Sequence, residues 1–158
     1  MTARLRFRSP IGPLTVEASD EGVFGISFGA AGPAHPGVSV RARAHLAAAE
    51  EALADYFAGR APRVPTLDLR GTAYQQAVWR ALLAIPWGEV RTYGDIAREL
   101  RSGARAVGGA NHRNPVAILV PCHRVVAVNG GLGGYGGGVE RKRWLLAHEA
   151  GHAPALHL

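Results

Sequence analysis

Residues 4–28, RLRFRSPIGPLTVEASDEGVFGISF, alternate apolar and polar side chains and break at Pro10-Ile11-Gly12-Pro13 and at Asp20-Glu21-Gly22. A period of two puts one face of an extended chain inside and the other outside, so the stretch predicts short antiparallel strands joined by tight turns. A Gly/Pro loop, GAAGPAHPG (29–37), comes next. The period then lengthens: in RARAHLAAAEEALADYFAG, Leu46, Leu53 and Phe57 share one helical face, and Gly59 closes the helix. RAPRVPTLDLRG (60–71) is proline-rich and extended, which predicts a linker between two lobes.

The pattern turns helical again at Thr72. Thr72 and Gln75 form a capping-box pair, and Tyr74, Val78, Ala81, Leu82 and Ile85 make an apolar stripe that ends at Pro86. Thr92 can cap a short helix carrying Tyr93, Ile96, Ala97 and Leu100 on one side. Arg101-Ser102-Gly103 makes a turn, and ARAVGGANHR (104–113) predicts a second short helix stopped before Pro115. Two short helices joined through glycine have the layout of a helix-turn-helix. VAILVPCHRVVAV (116–128) is a nearly continuous apolar run and predicts buried extended chain. NGGLGGYGGG (129–138) leaves Tyr135 with few side chains to pack against, on a backbone that a flat ligand can approach closely. VERKRWLLAHE (139–149) predicts a last amphipathic helix with Trp144, Leu145 and His148 on a related face.

Composition narrows the class. The 158 residues suffice for one domain or two small lobes, and 47% hydrophobic with 19% charged residues describes a globular protein with a real core. No apolar run approaches the roughly 20 residues of a membrane span. MTARLRFRSP has no apolar segment after its arginines, so no signal peptide is expected. A single cysteine cannot form an internal disulfide, which suits a reducing cytoplasm and excludes a zinc site built on several thiolates. The formal charge of +6 is uneven: residues 80–143 hold ten basic side chains against four acidic ones, residues 1–79 eight against seven. A basic second half calls for a polyanionic partner, with DNA or RNA the usual one.

Candidate chemistry centres on that single cysteine, Cys122, set between Pro121 and His123. A free thiol is only a few per cent ionised at neutral pH, so a nucleophilic role needs neighbours that help it lose its proton. His123 is the nearest candidate. In extended chain adjacent side chains point to opposite faces, so His123 should not touch the sulfur directly; a bridging water or a kink after Pro121 would be required. A carboxylate should hold the histidine tautomer, and Glu149, the one acid among the last fifteen residues, is a plausible third member. The alternative is a packed thiol beside an ordinary hydrogen-bonded histidine.

PCHRVV preceded by NPVAILV, followed by a glycine-rich loop with one tyrosine and then GVERKRWLLAHE, resembles the O6-alkylguanine-DNA alkyltransferases (methylated-DNA–protein-cysteine methyltransferases). YQQAVWRALLAIPWGEVRTYGDIA and ARAVGGA upstream are similar to that family in order and spacing. The resemblance covers residues 72–150 densely and residues 1–68 only in their strand and helix layout. It implies an α+β fold with two domains. A small N-terminal α/β, ribonuclease-H-like lobe would span 1–68, and a mostly helical lobe with a winged-helix-like helix-turn-helix would span 72–150.

The resemblance also implies roles. Cys122 would take the alkyl group from guanine O6; His123 would draw off the thiol proton through a water, held by Glu149. Tyr93 would help turn the nucleotide outward and donate a proton to the leaving base. Asn114 would tie the helix-turn-helix to the active-site segment. Arg105 would fill the gap in the base stack, with Thr92, Arg101, Ala104 and Gly108 completing the DNA-binding set. Val125, Tyr135, Gly136 and Asn111 would line the base pocket. Ala117 and Gly136 depart from the family, which often has proline and serine there, and the first-lobe cysteines that bind zinc in some relatives are absent.

A thioether has no leaving group that water can displace, so such a protein is spent after one turnover and needs neither S-adenosylmethionine nor a metal. The implied partner is double-stranded DNA carrying O6-alkylguanine, with the protein acting as a monomer, cooperatively or singly, and not at a membrane. Three other readings compete. A lesion-binding relative would lack the acceptor cysteine. A helix-turn-helix regulator would carry an effector or dimerisation domain. A cysteine hydrolase would need its base in direct reach of the sulfur.

Overall fold

The computed structural model describes residues 2–30, 32–37, 39–132 and 135–151. They form a mixed α/β structure with five α-helices and two small sheets. Two compact units divide the chain: one runs to Arg70 and adds Pro115–Leu119, the other takes Gly71–Asn114 and resumes at Val120. Among the described residues no helix is long and apolar enough to cross a membrane.

In the first unit β1 (Thr2–Ser9), β2 (Gly12–Ser19) and β3 (Val23–Phe28) form an antiparallel meander in the order β1-β2-β3. The alternating pattern predicted these strands, and Ser9 pairs with Gly12 across a two-residue turn. Leu14, Val16 and Ala18 of β2 are fully buried. Helix α1 (Val40–Phe57) packs on β2 and β1 and buries Ala42, Leu46, Ala49, Leu53 and Tyr56. Its face differs from expectation at the end: Tyr56, three residues after Leu53, turns inward. Phe57 is half-exposed and stacks on Phe7 at 6.0 Å between ring centroids.

The predicted linker is extended, but it is also part of the sheet. Val23 N–H donates to Thr66 O at 2.9 Å and Asp68 N–H to Val23 O at 2.8 Å. A Cβ at Gly22, whose φ is +152°, would stand 2.7 Å from Thr66 O, so this approach requires glycine. Farther along β3, Ile26 N–H donates to Pro115 O (3.0 Å) and Ala117 N–H to Ile26 O (3.1 Å). The outer edge of β3 is thus covered by two short stretches of chain rather than left open to another strand.

In the second unit α2 (Ala73–Leu83) starts at the Thr72–Gln75 capping box, with both reciprocal bonds present. Val78, Ala81, Leu82 and Ile85 are buried as their spacing predicts, and Trp79 joins them, its Nε1 donating to Ala110 O at 2.9 Å. After α2, β4 (Arg91–Thr92) pairs in parallel with β5 (Val125–Val126). Thr92 then caps α3 (Tyr93–Leu100) through a second capping box, with Asp95. Arg101 ends α3 in the left-handed region (φ 53°), and α4 (Ala104–His112) follows two residues later. Tyr74 Oη and Ser102 Oγ, 2.8 Å apart, hold this turn to α2. The last helix, α5 (Val139–Glu149), buries Lys142, Trp144, Leu145 and Glu149.

Candidate active site

The segment that carries the thiol is buried, as its apolar run predicts, but it is not extended. Pro121 has φ −82° and ψ 66°, and Cys122 N–H donates to Val120 O at 2.8 Å. That is an inverse γ-turn, and proline suits its centre because the ring presets φ. One turn of 3-10 helix, Cys122–Arg124, follows. Three residues per turn fan successive side chains about the axis, whereas a strand alternates them between two faces. The kink after Pro121 therefore replaces the expected strand, and Cys122, His123 and Arg124 are all buried.

His123 reaches Glu149: Nε2 lies 2.6 Å from Oε2, with both side chains almost fully buried. Glu149 is held from its other oxygen as well. Arg124 Nε donates to Oε1 at 2.7 Å, and Arg124 Nη1 donates to Ile85 O, also at 2.7 Å, at the end of α2. The backbone N–H of Gly88 approaches the same Oε1 at 3.4 Å. Burial works to raise the Glu149 carboxyl, but the hydrogen bonds and charges of His123 and Arg124 outweigh it and bring the group down to about 2. Burial pushes His123 below its usual value, against the pull of Glu149. The pair at neutral pH is thus an ionised carboxylate beside a neutral imidazole. The carboxylate can only accept, so Nε2 carries the ring proton and the basic lone pair is on Nδ1.

Cys122 is 6% exposed. Burial raises its thiol above the ordinary value, opposed by a hydrogen bond from Asn114, the charge of Lys142, its own backbone and a hydrogen bond from Tyr135. The sulfur is a thiol surrounded by groups that favour the thiolate, so a nucleophilic role requires a base to take its proton. Asn114 also donates from Nδ2 to Val120 O at 2.8 Å. Asn111, on α4, donates from Nδ2 to Cys122 O at 3.3 Å. Tyr93 opens α3, and burial and the neighbouring sulfur both raise its phenol, which stays protonated.

Tyr135 is half-buried with its phenol at the sulfur, and burial first, then Cys122, push it well above the usual value. Val125 is fully buried, and its carbonyl accepts from Lys142 Nζ at 2.6 Å. Gly136 is exposed, and a Cβ there would meet nothing within 4 Å. Arg101, Ala104 and Arg105 are exposed at the turn and the first residues of α4. Gly108 faces Tyr93, where a Cβ would stand 4.0 Å from the ring.

Two residues of this network were not singled out by sequence reasoning, Arg124 and Lys142. A signal existed for each. Arg124 is a charge inside an apolar run, and Lys142 is the sole lysine among seventeen arginines. Burial holds Lys142 below the ordinary lysine value, and its Nζ is 6.0 Å from the Tyr93 ring centroid.

One unit holds a buried thiol, a histidine–carboxylate pair on the next residue and a helix pair bearing exposed arginines, an arrangement in which a cysteine can serve as nucleophile. Residues 73–151 match the family described as 6-O-methylguanine DNA methyltransferase, DNA binding domain. A methylated-DNA–protein-cysteine methyltransferase of Mycolicibacterium paratuberculosis is 47% identical over 152 residues, which is 93% of this chain and 92% of that one. A namesake from Methanosarcina acetivorans is 43% identical, over 90% of this chain and 95% of that one. The crystal structure of Mycobacterium tuberculosis OGT in complex with DNA superposes with a TM-score of 0.80 at 45% identity, over 95% of this chain and 94% of that one. The chain belongs to the 6-O-methylguanine DNA methyltransferase family.

Proposed function

We propose that this protein repairs DNA by moving an alkyl group, methyl above all, from O6 of guanine onto Cys122, once per molecule. The observation that carries the reading is the buried turn Cys122–Arg124, which sets a thiol one residue before a His123–Glu149 pair bonded at 2.6 Å. In the reaction Sγ attacks the alkyl carbon, the carbon–O6 bond breaks and a carbon–sulfur bond forms. The thiol proton passes through a water to Nδ1 of His123, and Glu149 stabilises the imidazolium that results. The leaving guanine takes its electron pair into the ring and receives a proton from Tyr93, whose raised phenol keeps that proton until the base leaves. Asn114 positions the thiol from the foot of α4.

A base stacked in a duplex cannot deliver its O6 substituent to a buried sulfur, so the nucleotide is extruded. Helices α3 and α4 serve as a winged-helix-like helix-turn-helix, with α4 entering a groove and Arg105 taking the place of the extruded base. Thr92 and Tyr93 at the start of α3, with Arg101, Ala104 and Gly108, contact the backbone around the lesion. Val125, Tyr135, Gly136 and Asn111 surround the base. The catalytic and DNA-binding domain spans 72–150 and a ribonuclease-H-like lobe spans 1–68; the protein works as a cytoplasmic monomer. Intact-protein mass spectrometry after incubation with a methylated oligonucleotide tests the transfer. A gain of about 14 Da on Cys122 is expected from irreversible alkylation of a thiolate nucleophile; an unmodified Cys122 under excess substrate would overturn the proposal.

A further inference from the structure

Asn111 lies in the last turn of α4 and is 4% exposed. Its Nδ2 bonds the carbonyl of Cys122, the acceptor residue itself. That contact fixes the amide orientation, because a carbonyl oxygen attracts N–H and repels another oxygen. Oδ1 is therefore turned to the opposite edge, and among the described residues it has no hydrogen-bond partner. A buried amide oxygen without a donor lowers stability, and a leucine of nearly the same shape would avoid the loss. The arrangement makes sense where a ligand brings the missing donor.

The substrate inferred above has one kind of donor to bring. Alkylation at O6 takes the hydrogen off N1, N9 is bonded to the sugar, and N3 and N7 only accept. The exocyclic 2-amino group is the sole N–H donor of O6-alkylguanine. A base seated with its O6 substituent at the sulfur lies alongside the Cys122 main chain, where the amide of Asn111 is fastened. We propose that Asn111 determines base specificity: its Oδ1 accepts a hydrogen bond from the 2-amino group of the extruded guanine. This rests on Cys122 being the alkyl acceptor. It also ranks the alternatives, since O4-alkylthymine offers no N–H to the site.

The test compares single-turnover methyl transfer from duplexes carrying O6-methylguanine or O6-methylhypoxanthine, which differ only in the 2-amino group. Both are given to the wild type, to Asn111→Leu and to Asn111→Ala. Dividing the wild-type rate ratio by the variant ratio cancels the difference in extrusion cost between the two bases. The expected quotient is about 5 or more, the worth of one neutral hydrogen bond. A quotient of one in whichever variant folds overturns the assignment, and so does a wild type indifferent to the 2-amino group. A wild type that transfers methyl from neither base to Cys122 overturns instead the acceptor reading beneath it.

Discussion

The two units bury different things. In the first, the buried polar side chains among the described residues are the hydroxyls of Thr15 and Ser19, which bond Gly29 O at 2.7 Å and Asp68 at 2.7 Å. The second buries Asn111, His123, Arg124, Lys142 and Glu149, four of them ionisable. Taking charges out of water is costly even when they are paired, and apolar replacements of the same shape often serve stability as well or better. One unit is therefore built for packing, while the other accepts that cost to hold a sulfur, an imidazole and a carboxylate in register.

Substitutions can break or sharpen this contrast, and the largest effect belongs to the sulfur. Cys122→Ala should abolish methyl transfer in a single-turnover assay while leaving duplex affinity within a few-fold by titration. Residual transfer by that variant would show the acceptor to be elsewhere. Next comes Glu149→Gln, which leaves Arg124 without its counter-charge: transfer should slow at least about 100-fold, and chemical denaturation should show a loss of about 3 kcal/mol. The pH dependence has a definite sign. The folded carboxyl, at about 2, titrates below the ordinary glutamate value of 4.5. Its stabilising contribution is therefore complete above about 4.5 and fades as pH falls through about 2. Melting curves of wild type and Glu149→Gln should converge over that window; a constant offset would deny the ion pair its role.

In the first unit, Leu53→Ala should cost about 2–5 kcal/mol in denaturation yet leave the transfer rate of the folded protein unchanged. A proportionate loss of rate would erase the distinction between the units. The smallest effect expected is the most selective. Arg105→Ala, on the exposed start of α4, should slow repair in duplex DNA by about 10-fold, the scale of a lost stacking or groove contact. Its reaction with free O6-benzylguanine should be little changed. Equal losses on both substrates would remove Arg105 from base extrusion.

How far the sequence foretold these features depended on the range of the forces involved. The hairpins and the Thr72 and Thr92 caps rest on neighbours within a few residues, and they were legible. The face of α1 was legible except where Tyr56 and Phe57, adjacent aromatics, compete for one inward position. The Glu149 partnership was anticipated because few acids were on offer, although 26 residues separate it from His123. Arg124 and Lys142 were not, since their partners include the carbonyls of Ile85 and Val125, and a carbonyl leaves no mark on a sequence. In the sequence the turn at Pro121 enters only as a condition for His123 to approach the sulfur. Its cause is a single bond to Val120 O that period-two reasoning cannot represent.

Pro115–Leu119 leaves one unit to complete the sheet edge of the other, and Asn114 bonds Val120 across the neck of that excursion. Dissection of the gene product at Gly71 would therefore not yield a clean fragment. The excised half would carry Val116, Ile118 and Leu119 stripped of their cover, three greasy side chains a few residues upstream of Cys122.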